Sequence, residues 1–514
     1  MWIIFLMGED FMIKSSLKEN KITTLLSESL EKNIATLKDI FIDDDTIAIR
    51  FITNCHNTML KYCIVHNDGL INASIINENI IKPLMLSKVE LSRGQQIDIL
   101  IHQVVLINQV KKTKEWQEII EAVTYGDTIL FIDGESEVLI LNSKGFNIRA
   151  IAEPDNEKVI NGPREGFGEA LMMNLSMIRR RLRNNELKIK FRSFGKRTHT
   201  QACICYIDSI VNKNVLEELY RRLDTIDIDG VLDTNYITEL IRDSRFSPFR
   251  ATGYTERPDV VVGKLLEGRI ILLVDGSPVA LTLPYLFIEN FQSNEDYYMN
   301  FYYSSLARFL RIFSFILSIT VPSLYIIIVA FNQEIVPTTL LTNLVRERMG
   351  VPLPAVLEVF VMLILFDILK EAGIRVPSGI GHALSLVGGL VIGQAAVSAK
   401  LVAAPMIIVV AVTAITGMLV PRVDASVIYL RLLLLILSAT FGILGFISGS
   451  LIIMTHLLNL HSFGIPQLTP MEELKYQEVK DTFVRGPWWK MLNRPEVLTK
   501  NKTRLGSEDR GDCD

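Results

Sequence analysis

The segment FLRIFSFILSITVPSLYIIIVAF, residues 309–331, decides the class of this protein. It is apolar along most of its length, and a helix needs about 20 such residues to cross the hydrocarbon core of a bilayer. Further apolar runs follow at residues 353–369, 379–399, 401–420 and 425–457. Because lipid cannot satisfy bare backbone groups, these runs are predicted to be helices. We therefore expect an α-helical polytopic membrane domain at residues 305–460.

The last apolar run allows two interpretations. Residues 425–457 fit one long tilted helix with Arg431 at its inner end, or two short passes that fold near Gly442. The predicted total is accordingly five or six spans. An even number places both chain ends in the cytoplasm, which suits the basic C-terminal tail at residues 461–514. We expect that tail along the inner surface, with Trp488 and Trp489 at the interface.

The composition bears on the class of function and on the cellular compartment. Hydrophobic residues make up 49% of the chain, and the net charge of −4 gives no electrostatic support for binding nucleic acid. Residues 1–7 are apolar but lack a basic flank, so no cleavable signal peptide is predicted and the N-terminal region is expected in the cytoplasm. The cysteines are scattered and odd in number, which favours a reducing compartment: Cys55, Cys63, Cys203, Cys205 and Cys513.

The first 300 residues alternate strand-like and helix-like patterns, which predicts a soluble α/β region. The phrase GDTILFIDG, from Gly126 to Gly134, returns as GRIILLVDG, from Gly268 to Gly276. Each predicts a buried strand, an Asp-Gly turn and a return strand. The repetition indicates two related subdomains at residues 1–150 and 151–300, although two unrelated hairpins would give the same signal. A helix is also predicted at residues 95–111.

The approach to the membrane is rich in aromatic residues, between positions 287 and 303. Aromatic rings gather at the bilayer interface because they are amphipathic. Arg308 and Arg311 follow at once, and cations beside a first span mark its cytoplasmic side. This pattern again places residues 1–300 in the cytoplasm.

Ionisable and polar groups within the spans are candidate pore or gate residues. Glu358 and Asp367 are nine positions apart, so they face different neighbours, and Gln394 lies in the next run. Such groups usually face protein or water because they are unfavourable in lipid. The alternative is that they lie near enough to the helix ends to reach the interface.

Small residues recur every four positions in two runs. Such ridges allow close helix packing, so they predict a tight bundle and are compatible with a homo-oligomer: Gly381, Ser385, Gly389 and Gly393, then Gly445 and Gly449.

No catalytic or cofactor site is predicted. The chain has no phosphate-binding loop, zinc spacing or nucleophile elbow, so neither an enzyme nor a bound cofactor or metal is expected. Glu256, Arg257 and Asp259 are interpreted as a structural ion-pair corner. The basic residues at 179–183 fit either a solvated helix end or a docking site for a partner or anionic lipid.

Several phrases together resemble the GerA family of spore germination proteins, A-type subunit. They cover nearly all of residues 20–505 and include GPRE from Gly162, TERPD from Thr255, LEGR from Leu266, NEDYY from Asn294, RMGVP from Arg348, EAGIRVP from Glu371 and SFGIP from Ser462. The chain departs from that family at Pro248-Phe249-Arg250-Ala251, where the family usually has Pro-Phe-Pro-Gln.

The resemblance implies a subunit of a nutrient germinant receptor in the spore inner membrane. It implies partners, a transporter-like B subunit and a lipoprotein C subunit, and an A subunit that assembles into an ion-conducting oligomer. Two alternatives stay open: an accessory ion-release channel of the stage V sporulation AF type, and a membrane-tethered signalling scaffold without a pore. A secondary transporter is less favoured because no two matched halves are visible among the spans.

Overall fold

The computed structural model describes residues 26–88, 96–145, 153–154, 156–375, 389, 391–469, 481–491, 493–495, 498–499, 501 and 504. The apolar segment 1–7 and Cys513 lie outside these residues. By its contacts the chain divides into two compact units. The first comprises Met1–Ala150 and Met172–Lys190, and the second comprises Ile151–Leu171 and Phe191–Asp514.

The first unit contains a five-stranded antiparallel sheet in the order β1-β2-β4-β5-β3. Its strands are β1 Ile47–Thr53, β2 Lys61–Asn67, β3 Val110–Thr113, β4 Thr128–Ile132 and β5 Val138–Leu141. Its helices are α1 Leu30–Ile40, α2 Ala73–Ile75, α3 Lys82–Leu86, α4 Gln96–Ile99 and α5 Trp116–Tyr125. A π-helical turn, Ile76–Ile81, joins α2 to α3, and another, Leu100–Val104, extends α4.

Alternation along β2 gives this sheet two apolar faces, since successive strand side chains point to opposite sides. Tyr62 and Ile64 belong to one cluster, with residues of α3, α4 and the two π-helical turns. Cys63 and Val65 belong to another, with residues of α1 and α5. The unit is therefore a three-layered α/β structure.

A second five-stranded sheet follows in the order β6-β7-β9-β10-β8. Its strands are β6 Leu187–Phe194, β7 Thr200–Ile207, β8 Gly253–Thr255, β9 Ile270–Val274 and β10 Ala280–Leu283. The helices of this part of the chain are α6 Leu171–Arg181, α7 Lys213–Asp224, α8 Thr234–Ile241 and α9 Pro258–Leu266. Numbered from their own first strand, both sheets have the order 1-2-4-5-3. Two related subdomains at residues 1–150 and 151–300 stay a prediction.

The repeated Asp-Gly turns have the same local role in both sheets. Asp133 Oδ1 accepts a hydrogen bond from the N–H of Leu30 at 3.4 Å, and Asp275 Oδ1 accepts one from the N–H of Leu171 at 3.0 Å. Leu30 and Leu171 are the first residues of α1 and α6, whose opening N–H groups have no partner within their helix. Each turn therefore caps an 11-residue helix.

The C-terminal part of the second unit is helical. Its helices are α10 Phe301–Ile326, extended by the π-helical turn Ile327–Phe331, then α11 Thr338–Arg348, α12 Ala355–Arg375, α13 Ala404–Met418 and α14 Asp424–Leu458. Residues 391–398 are also helical. In the described part of the chain, two helical runs are long and apolar enough to cross a membrane, Phe301–Phe331 and Pro421–Leu458. The number of spans, five or six, stays a prediction.

Helix α14 reverses at Gly442, which has φ 61° and ψ −134°. A Cβ atom at Gly445 would lie 1.9 Å from the carbonyl oxygen of Leu437, and one at Gly449 would lie 2.8 Å from Leu434 Cδ2. In a continuous helix, residues eight positions apart are separated by about 12 Å along the axis. The two arms of α14 are therefore antiparallel, and the fold-back near Gly442 is the interpretation that the geometry supports.

One hydrophobic cluster continues from the second sheet into the base of the helices, from Leu272 to Leu430 and Leu457. At its centre the Phe287 ring meets Phe315 edge to face, with centroids 6.0 Å apart. Phe287 is 7% exposed. The prediction that the aromatic residues before α10 lie at the bilayer interface is therefore wrong for this residue, because it fills the joint between sheet and helices.

The helix predicted at residues 95–111 is wrong in its last third. Helical structure ends at Val104, and Val110–Thr113 forms β3, paired with β5. The apolar pattern does not distinguish these outcomes, because pairing with a distant strand overrides local preference.

Candidate functional site

Arg308, in the second turn of α10, is completely buried and contacts two carboxylates. Its Nε donates to Asp296 Oδ2 at 3.0 Å, and its Nη1 donates to Asp481 Oδ1 at 2.8 Å. Arg311 donates to both oxygens of Asp296, each at 2.9 Å. The Tyr297 hydroxyl donates to Asp481, and burial together with that carboxylate raises the pKa of Tyr297 well above its usual value. This network, the α10 base, attaches the helix to the tail.

Glu289 is a second buried carboxylate, and it pairs with Arg269 and Lys264. It also accepts a hydrogen bond from the N–H of Leu286 at 3.1 Å. Burial alone would raise the pKa of the Glu289 carboxyl, but the charges of Arg269 and Lys264 outweigh burial and hold the pKa below its usual value. Burial lowers the pKa of Lys264. The cluster thus keeps an ionised carboxylate away from water.

A cavity of about 490 Å³ lies beside this cluster. Its volume is typical of small-molecule sites. Charged and aromatic side chains line it, including Lys264, Arg269, Glu289, Tyr297 and Trp488. Apolar side chains line it as well, including Val260, Leu286 and Ile288, so the lining is mixed. Among the described residues, no group of three or more His, Cys, Asp or Glu side chains is placed to hold a metal ion.

The corner from Thr255 to Asp259 contains the predicted ion pair. Arg257 is 1% exposed, and its Nη2 donates to Asp259 Oδ2 at 2.8 Å. The same nitrogen donates to the carbonyl of Pro163 at 2.7 Å. Thr255 donates to Glu157. Because every contact of this guanidinium is made within the fold, the corner has a structural role.

The basic cluster at residues 179–183 is not simply a solvated helix end. Arg179 is 1% exposed and pairs with Asp44 within the first unit. Arg183 lies over the Tyr125 ring, 3.8 Å from its centroid. The interpretation as a solvated end is therefore wrong for Arg179, because its charge is needed to match a buried carboxylate.

Glu358 lies in the first turn of α12 and is fully buried. Its Oε1 accepts a hydrogen bond from the N–H of Ala403, the residue before α13. Arg348 Nη2 lies 3.9 Å from the other oxygen, Oε2, which has no hydrogen-bond partner among the described residues. Two helix N-termini meet at this carboxylate, and their positive dipole ends favour its negative charge.

Asp367 pairs across the helices with Arg431 of α14, at 2.6 Å. Lys370 likewise contacts Asp424. The two pairs connect the C-terminal half of α12 to the first arm of α14. Asp367 is nine residues from Glu358, about 14 Å along the helix, so the structure does not bring these two candidates together.

The remaining candidates differ in their surroundings. Gln394 is exposed. Gly381 and Ser385 lie outside the described residues. No side chain or distant backbone atom lies within 4 Å of a Cβ position at Gly389, whereas Gly393 faces Ile407 at 3.9 Å. Gly445 and Gly449 pack against the first arm of α14, as described above.

Sequence reasoning placed Asp367, Lys370 and Glu371 on one helix face, where they can pair, but did not identify Arg348 or Arg431 as partners. Arg348 and Arg431 are the cations nearest to Glu358 and Asp367. A signal was present, because an acidic group inside an apolar helix requires a partner. The distances along the sequence, 10 and 64 residues, gave no means of choosing one.

Comparison with known proteins agrees with these features. The family model for the Bacillus/Clostridium GerA spore germination protein matches residues 31–497. Spore germination protein KA of Bacillus subtilis is 38% identical over 496 residues, which is 96% of this chain and 91% of that protein. Spore germination protein GerLA of Bacillus cereus is 36% identical over 438 residues, covering 85% of this chain and 89% of that protein.

The names of two further similar proteins mention a membrane and a germinant receptor. A Bacillus subtilis protein described as the uncharacterized membrane protein YfkQ is 37% identical over 447 residues, 87% of each chain. Among solved structures, the N-terminal domain of the A subunit of the Bacillus megaterium spore germinant receptor GerK3 is 30% identical. The match covers 51% of this chain and 98% of that one, with a TM-score of 0.42.

Proposed function

This chain belongs to the GerA family of spore germination proteins, and from that premise we propose that it is the A subunit of a nutrient germinant receptor. Its proposed role is to trigger spore germination. The support is the length of the similarity, since the family match covers residues 31–497 and thus both α/β regions and the helices. The proposed partners are a transporter-like B subunit and a lipoprotein C subunit. No enzymatic step and no cofactor is part of this proposal.

The helices are proposed to span the spore inner membrane six times. The passes are α10, α12, the helix that includes residues 391–398, α13 and the two arms of α14. Ion pairs support antiparallel packing of α12 and the first arm, because Lys370 near the end of α12 meets Asp424 at the start of α14. An even number of passes leaves the α/β region and the tail on one side, proposed to be the cytoplasm.

Contacts of the tail support that arrangement. Ser462 Oγ accepts a hydrogen bond from the N–H of Tyr285 at 2.9 Å and donates one to the carbonyl of Ala251 at 2.7 Å. Gln467 donates to the carbonyl of Arg250 at 3.0 Å. The chain therefore returns, after α14, to the second sheet from which α10 departs.

Ion conduction by a homo-oligomer is the proposed mechanism, and Glu358 is the observation that carries it. Its carboxylate is fully buried among apolar helices, and one oxygen has no hydrogen-bond partner in the described chain. A buried charge within a membrane helix is energetically unfavourable, so an ionisable residue at such a position is a candidate functional residue. We place Glu358 at the gate, where the ion pair with Arg348 opens as the helices move. Asp367 and Gln394 are the further pore candidates.

Spores that carry Glu358→Gln test this mechanism. The variant keeps the shape of the side chain and removes its charge, so the release of monovalent cations after nutrient addition should slow several-fold. Glu371→Gln is the matched control, because Glu371 is exposed and its ion pair among the described residues is with Arg375, one turn away. Normal release at normal protein levels would remove Glu358 from the mechanism.

A second experiment separates the channel from the alternatives. Purified oligomer in a planar bilayer should show single-channel currents, and a signalling scaffold would show none. An accessory channel of the stage V AF type would also conduct, but spores lacking it would still respond when other receptors are present. If this chain is a receptor A subunit, deleting its gene in a strain without other receptors should abolish the response of the spores to nutrients.

A further inference from the structure

Arg485, in the tail segment 481–491, has a buried side chain with two nitrogen atoms that lack hydrogen-bond partners among the described residues. The residue is 3% exposed. Its backbone N–H donates to Ser305 Oγ at 3.1 Å, which fixes it beside the first turns of α10. Its Nε and Nη2 atoms have no hydrogen-bond partner in the described part of the chain. A buried guanidinium normally uses its donors, so the described residues lack an acceptor for Nε and Nη2 of Arg485.

The charges of the α10 base leave this cation unmatched. Asp296 accepts hydrogen bonds from Arg308 and Arg311. Asp481 accepts from Arg308 and from Tyr297. Three arginines, with Arg485 included, thus face two carboxylates. Among the described residues of this network, Arg308 leaves one nitrogen, Nη2, without a hydrogen-bond partner, whereas Arg485 leaves both Nε and Nη2.

Aromatic rings hold the guanidinium of Arg485 in place. Its Cζ lies 5.3 Å from the centroid of Trp488 and 5.8 Å from that of Tyr297. Ring faces attract cations within about 6 Å, but they do not satisfy N–H donors. The contacts therefore orient Arg485 and leave Nε and Nη2 for an acceptor.

The surrounding surface is typical of a membrane interface. Trp488 is 49% exposed and Trp489 is 59% exposed. On the first turns of α10, Tyr302 is 73% exposed and Phe309 is 61% exposed. The Phe301 ring packs edge to face on Trp489 at 5.8 Å, so tail and helix form one aromatic surface. Trp and Tyr side chains occupy the headgroup level of bilayers.

We propose that Arg485 binds the phosphate of an anionic phospholipid at the point where α10 enters the membrane. The two free donors of its planar fork match two phosphate oxygens. Trp488 and Trp489 lie in the same headgroup layer. The proposal rests on the proposed function, because it requires the chain to reside in a bilayer. It adds a specific lipid site at a residue in the tail.

The test uses the full-length protein, purified in mild detergent from an equimolar mixture of phosphatidylglycerol and phosphatidylcholine. Lipid that stays bound is identified by mass spectrometry. Wild-type protein should retain phosphatidylglycerol preferentially, and Arg485→Gln should reduce that preference about fivefold. Arg346→Gln is the control, since Arg346 is an exposed arginine on α11. Equal preference in wild type and Arg485→Gln overturns the proposal.

Two further arms cover other outcomes. If Arg485→Gln fails to fold, Arg485→Lys decides: it keeps the charge without the fork, so its preference should fall, and a wild-type preference overturns the proposal. Inorganic phosphate is added to lipid-free protein in detergent. If it stabilises wild type but not Arg485→Gln, the site binds free phosphate and the lipid assignment is wrong.

Flotation with vesicles keeps this inference separate from the proposed function. Protein that floats but shows no lipid preference overturns only the Arg485 site. Protein that stays in solution without detergent and does not float overturns the membrane assignment itself.

Discussion

Gly445 lies against the carbonyl oxygen of Leu437, eight residues earlier in the chain, so closely that a Cβ atom there would be 1.9 Å away. This approach is possible because the chain reverses at Gly442. The relationship divides one long apolar run into two antiparallel helical arms. It also makes Gly445 a position that accepts no side chain, because the opposing atom belongs to the backbone.

Gly445→Ala is therefore expected to destabilise the helical region by about 2 kcal/mol or more, since the hairpin must open to admit the methyl group. Thermal unfolding of the purified protein in detergent would measure this. Gly417→Ala is the matched control, because among the described residues no neighbour outside its own helical turn lies within 4 Å of the corresponding Cβ position, and alanine favours a helix. Similar unfolding temperatures for the two variants would contradict the reversal at Gly442.

Asp367→Asn should destabilise the protein by about 1–3 kcal/mol, because it leaves Arg431, which is only 6% exposed, without its carboxylate. Glu371→Gln, which removes an exposed pair, should change stability by less than about 0.5 kcal/mol. Replacing both partners, Asp367→Asn with Arg431→Met, should recover much of the loss. A double variant as unstable as the sum of the single ones would show that the pair is not coupled.

The Glu289 cluster predicts sensitivity to acid. The pKa of Glu289 is lower in the folded protein than in the unfolded chain, so its stabilising effect is present above the unfolded value, about 4.3. That effect is lost as the pH falls below this value and through the folded pKa. Glu289→Gln should be less stable than wild type at neutral pH by about 3–5 kcal/mol, because two cations lose their partner. The gap between the two proteins should narrow in acid, as followed by denaturant unfolding across pH.

The repeated Asp-Gly turns give a prediction for the soluble region. Asp133→Ala and Asp275→Ala should each destabilise their unit by about 1 kcal/mol, because each removes the acceptor for the first N–H of an 11-residue helix. The effect of Asp275 should be the larger, since its hydrogen bond is 3.0 Å rather than 3.4 Å long. Asp208→Ala is a suitable control, because Asp208 forms only an exposed pair with Lys213. Hydrogen exchange of α1 and α6 would localise the effect, and unchanged protection in both helices would argue against capping.

Much of the α/β region could be predicted from local pattern. The strands β4 and β9 follow from two short apolar runs, each closed by an Asp-Gly turn with glycine at positive φ, as Gly134 and Gly276 have. β3 could not be predicted, because Val110–Thr113 is a short edge strand whose form depends on pairing with β5. Phe287 was misplaced for a similar reason, since its burial depends on helices that follow it in the chain.

Local patterns were enough to predict long apolar helices after two similar α/β regions, because side-chain periodicity and turn residues act over a few positions. Three features are visible only in three dimensions: the reversal at Gly442, the pairing of Asp367 with Arg431, and the two nitrogen atoms of Arg485 that lack partners among the described residues. These features depend on which atoms meet across tens or hundreds of residues. These contacts depend on packing and on the pairing of buried charges, and neither produces a local pattern in the sequence.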